Sequence, residues 1–238
     1  MTNDFMRNWR FCRYDTPDEV TTVHLPHDAM ITEPRSKCLN GANSGYFPGG
    51  RYLYEKDFEI SSDQIGQYIA LVFEGVYRCA TVYVNGKKLA YHAYGYTEFT
   101  VDISDVVQAG TNLLKVDVDN SLEPNSRWYS GSGIYRPVHL VIKPKEHIRN
   151  VRITTKSIFP AVITVTADAP AETTVKIYDG EALAAEGMLG DIEIFRAKLW
   201  DAEHPNLYRA VLICGTDTEE VEFGIRQLTW SAQTGICV

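Results

Sequence analysis

Thr81-Val82-Tyr83-Val84-Asn85-Gly86-Lys87-Lys88-Leu89 is the stretch that decides the fold class. Side chains of an extended strand alternate between two faces, so the period-two pattern of Thr81 to Val84 fits a half-buried strand. Asn85-Gly86 tolerates the positive φ angles of a type I′ turn, and Lys87-Lys88-Leu89 leads away from it, so the stretch predicts a tight β-hairpin. Similar short runs recur on both sides of it. They predict strands at 52–60, 68–74, 98–103, 113–118 and 138–142, then at 151–155, 162–167, 173–178, 192–199, 208–214 and 219–225. Helical periodicity over ten or more residues is absent, apart from a turn at 104–108 behind Ser104 as its cap. An all-β chain follows, and strands at this spacing without intervening helices predict β-sandwiches.

A chain of 238 residues fits two domains better than one, since domains typically hold roughly 100–150 residues. The boundary is expected within 143–150, where Lys143-Pro144-Lys145-Glu146-His147 interrupts the alternation with a proline and charges. The stretch that follows has the strand count of one immunoglobulin-like sandwich. This gives a first domain over 1–146, a second over 147–231, and a remainder at 232–238 that reads as the beginning of a further, missing domain.

Hydrophobic residues make up 45% and charged residues 23%, as in soluble globular proteins, and the longest apolar run falls short of a membrane span. A formal net charge of -8 argues against a phosphate-rich partner, because nucleic-acid binders carry a clustered basic face. The composition therefore excludes nucleic acid and membrane as partners and suits a neutral ligand such as a sugar. Cys12, Cys38, Cys79, Cys214 and Cys237 are odd in number, widely spaced and without a CxxC pair, so they read as free thiols in a reducing compartment. Met1-Thr2-Asn3-Asp4 has no signal-peptide pattern, which makes the cytoplasm the expected location unless a signal was removed. The six histidines show no HxH or HxxxH spacing, so no metal site is expected.

Several segments resemble the domains that precede the catalytic barrel in glycoside hydrolase family 2. Asn8-Trp9-Arg10-Phe11 and Leu25-Pro26-His27-Asp28 are similar to its opening tryptophan strand and LPHD segment. Gly45-Tyr46-Phe47-Pro48-Gly49-Gly50, the run Tyr52 to Phe58, Phe73-Glu74-Gly75-Val76 and Val82-Tyr83-Val84-Asn85-Gly86 resemble the core of its sugar-binding jelly roll. Leu199-Trp200, Pro205-Asn206-Leu207-Tyr208 and Phe223-Gly224-Ile225-Arg226 resemble its immunoglobulin-like domain. Most specific is Arg127-Trp128-Tyr129-Ser130-Gly131-Ser132-Gly133-Ile134-Tyr135-Arg136-Pro137-Val138, which is similar to the β-galactosidase branch.

The resemblance implies a galactose-binding-like jelly-roll sandwich followed by an immunoglobulin-like sandwich. A retaining glycosidase needs two carboxyl groups about 5–5.5 Å apart, and the family keeps both on its barrel. No βα alternation is present here, so none of the 31 acidic residues is expected to be catalytic. The implied role is that of a non-catalytic front portion of an enzyme hydrolysing terminal β-D-galactosides with retention, its partners a C-terminal barrel in cis and other copies in a homo-oligomer. Alternatives are a stand-alone carbohydrate-binding module or lectin, or a portion of a β-glucuronidase or β-mannosidase.

In such relatives the loop at 125–132 approaches the barrel's pocket. Arg127 is the expected donor to galactose hydroxyls, Trp128 the apolar wall, and Asn43 a further polar contact. The bland readings are an Arg127 paired with a neighbouring carboxylate, a Trp128 serving as core or interface, and an Asn43 that shapes a turn. Some relatives carry an acidic residue for sugar and sodium binding where Ser126 stands, so magnesium or sodium in the parent enzyme would be held by residues outside this chain. Trp9 and Trp200 are expected in cores, and Asp28 is expected to fix the His27 ring by a hydrogen bond.

Overall fold

Asn85 and Gly86 take φ angles of 50° and 79°, both in the left-handed region that a type I′ turn requires. The strands on either side pair antiparallel from Val84 opposite Lys87 to Ala80 opposite His92. Asn85 also ties the turn down: its Nδ2 donates to the Val106 carbonyl at 3.0 Å, and its Oδ1 accepts from the Leu113 amide at 3.0 Å. A glycine at this first turn position would lack both bonds.

The computed structural model describes residues 5–237. The chain divides into two units, 1–142 and 143–238. The first contains β1 (Trp9–Arg13), β2 (Thr21–Val23), β3 (Arg51–Ile60), β4 (Tyr68–Phe73), β5 (Ala80–Val84), β6 (Lys87–His92), β7 (Phe99–Asp102), β8 (Gly110–Asp119) and β9 (Val138–Lys143). Six of these form a sheet in the order β2-β1-β3-β8-β5-β6, and the other three form a sheet in the order β7-β4-β9. The long pair β3 and β8 runs in unbroken register from Arg51 opposite Asp119 to Ile60 opposite Gly110. Alternation along it turns Tyr52, Tyr54, Val116 and Val118 inward, where they join Trp9, Leu71, Phe73 and Ile134 in one buried cluster. Trp9 is fully buried in this core.

The second unit contains β10 (Arg149–Ile158), β11 (Ala161–Asp168), β12 (Thr174–Asp179), β13 (Ala182–Met188), β14 (Gly190–Glu193), β15 (Tyr208–Cys214) and β16 (Asp217–Phe223). They form a sheet β10-β11-β14 and a sheet β13-β12-β15-β16 around Ile163, Val165, Val175, Ile177, Tyr208 and Leu212. This is the all-β sandwich of an immunoglobulin-like domain. The sequence left 232–238 outside any element. Here β17 (Thr229–Ser231) and β18 (Gly235–Cys237) close a small hairpin with Trp230 opposite Ile236.

Trp200 departs from its expected place. It lies between strands, bridged to Pro205, and is half-buried rather than in the core. Its ring lies against Gly224, where any β-carbon would come within 2.9 Å of it, and the Arg226 guanidinium covers it at 4.7 Å.

Candidate functional site

The segment from Asn120 to Tyr135 of the first unit has almost no regular structure, so its shape depends on side-chain bonds that satisfy the backbone. Asn120, fully buried, donates through Nδ2 to Ser132 Oγ at 2.6 Å and to the Gly131 carbonyl at 3.3 Å. Its Oδ1 accepts from Asn125 Nδ2 at 2.6 Å. The Asn125 amide donates to Oδ1 of the buried Asn40 at 2.7 Å, and Asn40 Nδ2 donates to Glu123 Oε1 at 3.3 Å. Tyr77 donates its hydroxyl to Asn125 Oδ1 at 2.9 Å. Three segments far apart in sequence are thus held to one another.

Asp28 closes the other end. Its Oδ1 accepts from the Met30 amide at 3.0 Å and the Ser132 amide at 2.9 Å, and its Oδ2 accepts the Tyr129 hydroxyl at 2.7 Å. Burial first, then this bond to a carboxylate, pushes the Tyr129 phenol well above its ordinary range and keeps it a donor. Asp28 therefore does not hold the His27 ring, contrary to the sequence expectation. The partner of His27 is the Tyr54 hydroxyl, 2.8 Å from Nδ1, because the ring turns inward toward Tyr54 and Phe11 while the carboxylate turns to the loop.

On this frame stand the residues the sequence singled out. Arg127 is exposed, and among the described residues it makes no ion pair. Trp128 is 57% exposed, and its Nε1 donates to the Tyr96 hydroxyl at 2.8 Å. Ser126 donates its hydroxyl to the Trp128 carbonyl at 2.7 Å. Asn43 lies exposed in the short 3-10 turn Gly41–Ser44, and its side chain makes no hydrogen bond to a described residue. That turn is linked to the loop through Asn40, and Phe47 packs edge-on against Tyr129 with ring centroids 5.4 Å apart.

The aromatic wall beside Trp128 was not legible in the sequence. Tyr77 and Tyr94 each pack edge-on against Tyr96, at 5.2 and 5.6 Å, and Tyr135 donates to the Gly95 carbonyl at 2.7 Å. Tyr94-Gly95-Tyr96, two aromatics around a glycine in a polar stretch, was the available signal. The result is a rim of aromatic faces and uncommitted polar groups, suited to a ligand with apolar faces and many hydroxyls. Among the described residues no three His, Cys, Asp or Glu side chains stand close enough to hold a metal ion.

Residues 7–144 match the family described as glycosyl hydrolases family 2, sugar binding domain, and residues 142–226 match glycosyl hydrolases family 2. The chain belongs to glycoside hydrolase family 2. This family 2 chain is 32% identical over 98% of its length to a putative β-glucuronidase of Formosa agariphila, of which it covers 26%. It is 36% identical over 58% of its length to a β-galactosidase of Bacteroides ovatus, of which it covers 18%. Among solved structures, a family 2 member from Bacteroides cellulosilyticus superposes on all of the chain with a TM-score of 0.85 and 28% identity, the chain spanning 37% of it. A β-glycosidase from Bacteroides vulgatus gives 0.84 and 26%, with 35% of its length covered. The chain thus spans well under half of these relatives.

Proposed function

We propose that this chain is the non-catalytic front portion of a longer family 2 β-galactosidase, which hydrolyses terminal β-D-galactosides with retention of configuration. The observation that carries this reading is an Arg127 guanidinium with no carboxylate partner among the described residues, held out beside the exposed Trp128 on a loop locked at both ends. An arginine kept unpaired at such a rim suits donation to ligand hydroxyls, and an indole suits the apolar face of a sugar ring. In the complete enzyme the loop and Asn43 would complete one wall of the pocket. A catalytic barrel in cis would supply the paired acids, any magnesium or sodium would be held outside this chain, and copies would associate in the cytoplasm.

A second reading, a β-glucuronidase, is supported by the name of the Formosa agariphila relative, which matches over nearly the whole chain. The test is to assay the complete gene product with nitrophenyl β-galactoside and nitrophenyl β-glucuronide, and to repeat it with Arg127→Ala and with residues 1–238 alone. The first reading expects galactoside cleavage, a drop of about tenfold to a hundredfold in kcat/KM for Arg127→Ala, and no cleavage by residues 1–238. Preferred cleavage of the glucuronide selects the second reading, and release of galactose by residues 1–238 overturns both.

A further inference from the structure

The outward face of the six-stranded sheet carries a groove of about 720 Å³ whose lining includes none of Asn43, Arg127 and Trp128. That volume lies within the roughly 300–1,000 Å³ typical of small-molecule clefts. Strand alternation builds it: Tyr91, Thr81 and Asp117 lie opposite one another on β6, β5 and β8. Their neighbours Ala80, Val82, Val116 and Val118 point the other way, into the core.

The floor is rigid. Asp117 is only 7% exposed although it lies on the outward face, and Arg51 grips it with a fork, Nε to Oδ1 at 2.9 Å and Nη2 to Oδ2 at 2.5 Å. The Arg51 guanidinium lies in turn 3.8 Å from the centre of the Tyr14 ring. Two other groups of the groove are uncommitted. Arg78 lines the groove, and its guanidinium makes no hydrogen bond or ion pair with a described residue. Asp119 gives Oδ1 to the Ser121 amide and hydroxyl, while its Oδ2 accepts from no described residue. At the rim, Tyr91 is 59% and Leu122 68% exposed.

We propose that this groove binds a neutral oligosaccharide, one pyranose ring lying on Tyr91 with its hydroxyls between Arg78 and Asp119. A hydroxyl both donates and accepts, so a vicinal pair can satisfy an unpartnered N–H and an unpartnered carboxylate oxygen together, which neither an anion nor a cation can do. The charges point the same way. Arg51 and Arg78 face Asp117, Asp119 and Glu123, so a phosphorylated or carboxylated ligand gains no net attraction. Glu123 uses its two oxygens on the Leu39 amide and Asn40 Nδ2, which makes the groove's wall continuous with the base of the 125–132 loop. A glycan held here would be a site additional to the pocket wall described above.

The test is an amide chemical-shift titration of residues 1–238 with cellotetraose, with β-1,4-galactotetraose and with a glucuronate-containing disaccharide. At least one neutral tetrasaccharide is expected to shift the amides of Thr81, Tyr91 and Ser121. Its affinity should fall about tenfold or more in Tyr91→Ala and in Asp119→Asn and stay unchanged in Arg127→Ala. Asp119→Asn keeps an oxygen for Ser121, so it tests the site even if Tyr91→Ala folds poorly. No shift with either tetrasaccharide, shifts confined to 125–130, affinity unchanged from the parent in both groove variants, or tighter binding of the glucuronate sugar would each overturn the proposal. None of these outcomes bears on the effect of Arg127→Ala on catalysis, so the two readings fail separately.

Discussion

Tyr129 donates its hydroxyl to Asp28 at 2.7 Å across a separation of 101 residues, and the same carboxylate also accepts the Ser132 amide. One side chain thereby sets the position of the loop that presents Arg127 and Trp128. Asp28→Ala removes the acceptor of two amides and a hydroxyl, and each donor left unsatisfied in a partly buried place costs about 1–3 kcal/mol. A loss of about 2–4 kcal/mol in urea unfolding is expected, with faster hydrogen exchange at the Ser132 amide. Tyr129→Phe removes one of the three bonds and should cost about 1 kcal/mol. Equal losses in the two variants would show that the carboxylate does not organise the loop.

Gly95 makes room for the aromatic wall. A β-carbon there would stand 2.1 Å from Tyr77 Cδ2, and Tyr77 is 5% exposed, with its hydroxyl on Asn125. The ring cannot swing aside without breaking that bond. Gly95→Ala should destabilise by about 1–3 kcal/mol, the usual cost of overpacking, and should shift the fluorescence of Trp128 through Tyr96. Gly86→Ala is the contrasting variant, with open space around its β-carbon but a φ of 79°. It should cost about 1 kcal/mol from backbone strain and leave the Trp128 signal unchanged.

Why the fold was legible and part of the site was not follows from the range of the interactions. Arg51–Ile60 alternates half-buried and buried positions along most of its length, and the Asn85-Gly86 turn is specified by two adjacent residues, so both are written locally. Ala182–Met188 is alanine-rich and poor in β-branched residues, and it pairs only because β12 offers it an edge. The predicted strand at 192–199 ends at Glu193, and Arg196, with a φ of 52°, lies outside the extended region. At the site, Arg127 and Trp128 could be named from their own loop. Several of the loop's supports come from 32 to 104 residues away, as in Trp128 with Tyr96 and Ser132 with Asp28, and no local pattern marks such partners.

Asn120 tests the network from its buried centre. It is fully buried and uses both ends of its amide, toward Ser132 and Gly131 on one side and Asn125 on the other. Asn120→Asp keeps the volume but replaces a donor with a charge in a closed site, and should destabilise by about 3 kcal/mol or more at neutral pH. Lowering the pH protonates the new carboxyl and should restore part of the loss. A variant as stable as the parent at pH 7 would mean that the site admits water.

The last prediction concerns acid. Burial lowers the pKa of His27, and the charge of the adjacent Asp28 opposes this only in part. The folded ring is therefore held neutral, with Nδ1 placed to accept the Tyr54 hydroxyl at 2.8 Å. In the unfolded chain the ring titrates near about 6.5. As the pH falls through that value the unfolded state takes up a proton that the folded state refuses, so stability falls with pH. The loss stops below the folded pKa, where both states are protonated, and the full contribution is present above about pH 7. His27→Gln keeps an acceptor for Tyr54 but cannot titrate. Urea midpoints measured from pH 8 to pH 5 should fall more steeply in the parent chain than in His27→Gln, with the curves diverging below about pH 6.5. The other histidines contribute equally to both curves, so parallel curves would mean that His27 accepts a proton as readily folded as unfolded.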